Sequence, residues 1–189
     1  MNVRMMLAAI VVAGSAAAAI AQHSHVHGKS APAQPYAGQQ ARAVTSLSAE
    51  ELQAFLDGRG MGLAKPAEIN GYPGPMHVLE LADALQLTAE QRRDVQQAFQ
   101  RMKTKAMDLG GRYVEAERAV DAAFKSGSAD AATVAVRVAE ANRLLGEVRL
   151  SHLAAHLEIA PLLTSEQRAR YAELRGYGAG HSGHGRHKQ

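Results

Sequence analysis

The sequence has no cysteine and no tryptophan, and aromatic residues make up only 4% of its 189 residues. Without cysteine there is no disulfide, no thiolate zinc knuckle, no thiol nucleophile and no iron–sulfur cluster. Any metal must sit on His, Met, Asp or Glu. So few aromatics count against an aromatic-rich β-sandwich and against base-stacking platforms for single-stranded nucleic acid. Positive charge is also scarce: 21 Lys and Arg against 18 Asp and Glu leave a net charge of +3. A nucleic-acid binder of this size carries a stronger and more clustered excess. A glycine-rich phosphate loop, a His-Glu-x-x-His motif and a nucleophile-elbow serine are all missing. The pair His152-Leu-Ala-Ala-His156 lacks the adjacent glutamate that a zinc protease uses as base. The chain therefore reads as a non-enzyme without an organic cofactor and without nucleic acid as partner.

Alanine is abundant, with 38 copies. It is the best helix former and lets helix backbones pack closely, so the expected fold class is all-α. Met1–Arg4 is a short basic segment, Met5–Ile20 is apolar and small, and Ala19-Ile20-Ala21 has the small-x-small pattern of a signal-peptidase site. Residues 1–21 therefore read as a cleaved Sec-type signal peptide, with a mature chain starting at Gln22 in the periplasm. Retention of the signal would make it a membrane anchor instead. Residues 22–46 are polar, contain Pro32, Pro35 and Gly38, and read as a disordered arm opening with His23, His25 and His27. Residues 178–189 read as a matching disordered tail with His181, His184 and His187. The folded body is expected over 47–177.

Helix starts are written in capping chemistry. Ser48-Ala49-Glu50-Glu51, Thr88-Ala89-Glu90-Gln91 and Thr164-Ser165-Glu166-Gln167 fit the capping box, in which a hydroxyl caps the N3 amide while Glu or Gln reaches back. Ser128 followed by Asp130 reads as a simpler cap. After the Asn70–Pro75 turn a helix should begin at Pro75 or Met76. From Val95 through Phe99, Met102, Ala106, Leu109, Tyr113, Ala116 and Val120 to Ala123 the apolar residues alternate steps of four and three. Val134, Val138, Ala141, Leu145, Val148, His152, Ala155, Ile159 and Leu162 do the same. Only Lys125–Ala129 separates the two runs, which predicts a long antiparallel helical hairpin with short flanking helices, a hooked hairpin of four to five helices. Gly110-Gly111 falls inside the first arm and predicts a bend, and Pro161 should kink or stop the second arm.

Leu87-Thr88-Ala89-Glu90-Gln91 and Leu163-Thr164-Ser165-Glu166-Gln167 are two copies of LTxxQ, each opening a helix. Two such motifs flanking a helical hairpin, in a cysteine-free chain with an export signal and histidine tracts, resemble the LTXXQ family of periplasmic stress proteins. That family includes Spy/CpxP-like chaperones, zinc-resistance-associated proteins and nickel/cobalt sensors. The stretch Gly71–Ala82 resembles its periplasmic heavy-metal sensor and resistance branch. The resemblance covers residues 36–177. It assigns the motif role to Leu87, Thr88, Gln91, Leu163, Thr164 and Gln167. It implies a dimerising hooked hairpin without enzymatic activity that either binds metal or holds unfolding envelope proteins.

His152 and His156 are spaced i, i+4 on one helix face, which lets two imidazoles grip one ion. With the hairpin turn near residue 127, they lie level with Phe99–Lys103. Folding back at Leu87 places His77 level with Gln97, with Glu80 one turn along. His77, Glu80, His152 and His156 are thus the candidate body site, suited to Zn²⁺, Ni²⁺, Co²⁺ or Cu²⁺. A thioether from Met76 or Met102 would favour Cu(I). The competing reading makes His152 a core histidine and the methionines packing residues. The six tail histidines would bind metal weakly. Arg92, Arg93, Arg101, Lys103, Lys105 and Arg112 form a basic face, either solvated or a client surface. The expected function is metal binding in resistance or sensing, with an ATP-independent holdase as the alternative. The expected partners are a second copy in a homodimer, and a membrane-bound regulator or unfolded envelope proteins.

Overall fold

The computed structural model describes residues 34–178, and among these the only regular structure is helical. The expected signal peptide and all six tail histidines lie outside the described residues. Gln34–Ala37 form a turn of their own, closed by a 2.9 Å hydrogen bond from the Ala37 N–H to the Gln34 carbonyl. The remainder is built from α1 (Ala49–Leu56), α2 (Lys65–Glu68), α3 (Pro75–Glu80), α4 (Ala89–Lys125), α5 (Ala131–Ile159), a 3₁₀ turn (Ala160–Leu162) and α6 (Ser165–Leu174). No helix among the described residues is long and apolar enough to cross a membrane.

All three capping boxes form as the sequence reads, with Ser48, Thr88 and Thr164 as caps and Glu51, Gln91 and Gln167 reaching back. The cap of α5 is Asp130 itself, whose carboxylate accepts from the Ala132 and Thr133 N–H groups, while Ser128 stays in the turn. A carboxylate at that place also complements the positive helix end. Pro75 opens α3, where its missing N–H costs nothing. Pro161 ends α5 by turning its last residues into the 3₁₀ turn. The sequence reading passed over α2, a single turn started by Pro66.

The two long helices, about 55 and 43 Å at 1.5 Å per residue, are joined by Ser126–Asp130 and pack along their length as the hairpin. Helix α4 runs without interruption through Gly110-Gly111. The first of these glycines is a packing device. A Cβ on Gly110 would overlap the carbonyl oxygen of Phe55 and lie 2.9 Å from its carbonyl carbon, so α1 rests directly on the α4 backbone there. Gly111 has open space at the same position.

The core falls into two clusters. One, toward the turn, gathers Val44, Leu47, Phe55, Leu109, Tyr113, Val114, Ala141, Leu144 and Val148. Phe55 meets Tyr113 edge-on at 4.6 Å between ring centres. Val44 is fully buried, Thr45 donates its N–H and hydroxyl to Asp121, and Ser46 donates to Glu117, so packed structure begins ahead of α1. The other cluster, at the open end of the hairpin, gathers Val78, Leu85, Val95, Ala98, Ile159, Leu163 and Tyr171. The buried stripe only partly follows the 3–4 spacing: Leu144 takes the core position beside half-buried Leu145, and Val138 is 40% exposed.

The LTxxQ motifs do more than cap. Gln91 Nε2 donates to Gln167 Oε1 at 2.8 Å and to the Leu162 carbonyl at 2.8 Å. Gln167 Nε2 donates to Gln91 Oε1 at 3.0 Å and to the Leu85 carbonyl at 3.2 Å. Each Oε1 also accepts the N–H of its own cap threonine. Every donor and acceptor of the two amides is used, and the starts of α4 and α6 are clasped together.

Candidate metal site

Between the two core clusters the packing is interrupted, and there a cavity of about 600 Å³ opens. Its walls come from the glycine-rich loop after α1, from α2 and α3, and from facing stretches of the long helices. On α4 the cluster residues are Ala98 on one side and Leu109 on the other, with Phe99, Met102 and Lys103 facing the gap. On α5 they are Val148 and Ile159, with His152 and His156 between them. The i, i+4 spacing stacks both imidazoles toward the cavity.

His152 is 4% exposed, and its Nε2 is buried without a hydrogen-bond partner. The Gly60 backbone lies against its ring, since a Cβ there would reach 3.4 Å from Nδ1. Burial, with the charge of neighbouring His156 adding to it, holds the His152 pKa below the ordinary imidazole value, so the ring is neutral and keeps a lone pair. His156 is 7% exposed, and its Nδ1 lies 2.7 Å from the Tyr72 carbonyl. A carbonyl can only accept, so Nδ1 carries a proton, and whenever the ring is neutral its lone pair is on Nε2. This orientation by an outer hydrogen bond is how metal-binding imidazoles are held.

Glu68, at the end of α2, is the carboxylate the sequence reading missed. Its Oε1 accepts from Tyr171 Oη at 2.5 Å and Arg175 Nε at 3.2 Å, and lies 3.4 Å from His77 Nδ1. Its Oε2 is buried with no partner, 3.9 Å from His156 Nδ1. Tyr171 also accepts the Gly74 N–H at 3.3 Å and lies 3.5 Å from His77 Nδ1. Burial and the bond to Glu68 raise the Tyr171 pKa, keeping its hydroxyl a donor. Gly74 leaves open the space between these groups: a Cβ there would sit 3.2 Å from both Glu68 Oε2 and His156 Nε2. The sequence did carry one sign of Glu68, since Lys65-Pro66 marks a helix start and a Glu in its first turn follows from dipole complementarity.

The structure brings His77, His152 and His156 to the wall of one cavity. Glu80, one turn along α3 from His77, is exposed and does not line it. Among the described residues no three His, Asp or Glu side chains converge closely enough to hold an ion as they stand. The donors fit a metal in kind: two imidazole nitrogens and one carboxylate oxygen keep free lone pairs. A complete shell needs either further donors or a small closure.

Compared with known proteins, residues 59–170 match the profile of a family described as heavy-metal resistance. No curated protein and no solved structure gives a significant match.

Proposed function

This chain belongs to the heavy-metal resistance family, and we propose that it serves resistance or sensing by binding a transition-metal ion in the interhelical cavity. The observation that carries this is the unpartnered Nε2 of His152 beside a His156 ring whose Nδ1 is already engaged. A core histidine kept for packing would have its second nitrogen satisfied. His152 and His156 are the main donors in this reading, with Glu68 3.9 Å from His156 and His77 beside Glu68. Glu80, named on spacing, is exposed and does not line the cavity, whereas Glu68 does, so in this reading Glu68 takes the carboxylate's part.

The finer kinship with LTXXQ proteins is supported by the Gln91–Gln167 clasp, which gives both copies of the motif a joint task. Met1–Ala21 supports export to the periplasm, where such an ion would be met. We further propose a homodimer. Val136, Leu150 and Leu157 stand on α5 at multiples of seven, exposed by 60% or more, with Gly146 between them. This second stripe of α5 matches what a facing copy of the same helix would cover.

The test is a melting curve of wild type and the His152→Gln/His156→Gln variant, each in chelator and with Zn²⁺, Ni²⁺, Cu²⁺ or Ag(I). Glutamine keeps most of the volume, so the variant stays folded. A metal-induced rise in Tm confined to wild type supports the site. Equal rises would place the ion on the histidine tracts, and no rise in either would remove metal binding and leave the holdase alternative.

A further inference from the structure

Three methionines share the cavity with the free imidazoles, and their placement is not that of packing residues. Met61 is 41% exposed and Met76 is 46% exposed, yet both line the cavity, as does half-buried Met102 beside them on α4. A methionine used as core filler is buried, since its contribution comes from area removed from water. Met61 is costlier still. It sits between Gly60 and Gly62 with φ of 42°, a left-handed backbone where glycine or asparagine would be at ease. Keeping a long side chain at that strained position puts a thioether on the cavity wall. The donor count points the same way. Among the described residues the oxygen and imidazole donors fall short of a preformed shell, so a hard or borderline dication is incompletely served there, whereas thioethers supply what a soft ion takes.

We propose that the cavity selects a soft monovalent d¹⁰ cation, Cu(I) or its analogue Ag(I), bound by His152 Nε2 together with thioethers from Met61, Met76 and Met102. This rests on the reading that the cavity binds metal, and it names the class of ion. Two or three soft ligands satisfy such an ion, so the missing third hard donor is not needed. Low charge also suits a site whose carboxylate is already partly neutralised by Arg175. The exposed edges of Met61 and Met76 give the ion a way in.

The experiment is a titration of the full chain, labelled at the methionine methyl carbons, with Ag(I) and separately with Zn²⁺, followed by NMR of the methionine methyls and the histidine rings. At one equivalent of Ag(I), the Met61, Met76 and Met102 methyls should shift together with the His152 ring, while Met107, which lies outside the cavity, stays in place. Zn²⁺ should leave all four methyls where they are. The Met61→Leu/Met76→Leu/Met102→Leu variant keeps the apolar volume, and its melting curve checks the fold. It should lose at least about tenfold in Ag(I) affinity, about 1.4 kcal/mol, and keep its Zn²⁺ affinity. Unmoved methyls with a shifted His152 ring would overturn the soft-ion assignment while leaving metal binding in place. Rings and methyls that ignore both ions would overturn the assignment and the metal reading together.

Discussion

Gly110 and Gly111 are adjacent in sequence, both inside α4, and should respond to the same substitution with opposite signs. Replacing a helix-interior glycine by alanine gains about 1 kcal/mol from backbone entropy and helix propensity. At Gly111 nothing lies within 4 Å of the new methyl, so Gly111→Ala should show that gain undiminished. At Gly110 the methyl would overlap the Phe55 carbonyl oxygen, which is backbone and cannot swing aside. Relief requires α1 to lift off α4, and α1 is held there by Phe55, 6% exposed and packed edge-on against Tyr113. Overpacking of this kind costs roughly 1–3 kcal/mol, and a backbone obstacle puts Gly110→Ala near the upper end. Losing the aromatic geometry adds about 0.5–1.5 kcal/mol. Less the propensity gain, the net loss is about 2 kcal/mol or more, some 3 kcal/mol away from Gly111→Ala. In a chain of this size that gap is about 6–12 °C in Tm. Urea unfolding followed by far-ultraviolet circular dichroism measures both variants against wild type. If the pair mattered only as a flexible bend, both alanines would stabilise equally. Stabilisation by Gly110→Ala would refute the close-approach argument.

Gln91→Ala should cost about 1–3 kcal/mol, because it strands the Gln167 amide and the Leu162 carbonyl in a half-buried place. Gln167→Ala should cost a similar amount and the double variant well under the sum, a shortfall that urea midpoints of the four proteins would reveal. Tyr113 is pushed up to about 12 by burial and then by the charge of Glu117, and Tyr171 is raised by burial and its bond to Glu68. Since the unfolded side chain ionises near pH 10, the unfolded state loses its proton first and stability should fall as pH climbs from about 10 to 12. Tyrosinate absorbance should show two of the five tyrosines withheld until the fold melts, and five tyrosines titrating together near pH 10 would contradict this. Leu150→Glu with Leu157→Glu should turn the proposed dimer into a folded monomer by sedimentation, and an unchanged mass would exclude the α5 stripe as the interface.

What the sequence determined by itself is what local physics writes into it. Ser48, Thr88 and Thr164 with their Glu or Gln three residues on fix where α1, α4 and α6 begin, because a capping box is closed within four residues. The apolar spacing and the short Ser126–Asp130 link determine the hairpin, and with it the shared level of His152, His156 and Met102. Tertiary structure decided everything that depends on residues distant in sequence. The partnership of Gln91 with Gln167 spans 76 positions, and that of Glu68 with Tyr171 spans 103. No periodicity encodes either of them. Glu80 was named and Glu68 passed over because spacing along α3 is legible and the fold-back of a one-turn helix is not. Gly110 looked like a weak point because a sequence shows the cost of a missing side chain, while the carbonyl that occupies its place arrives from α1, and only packing brings it there.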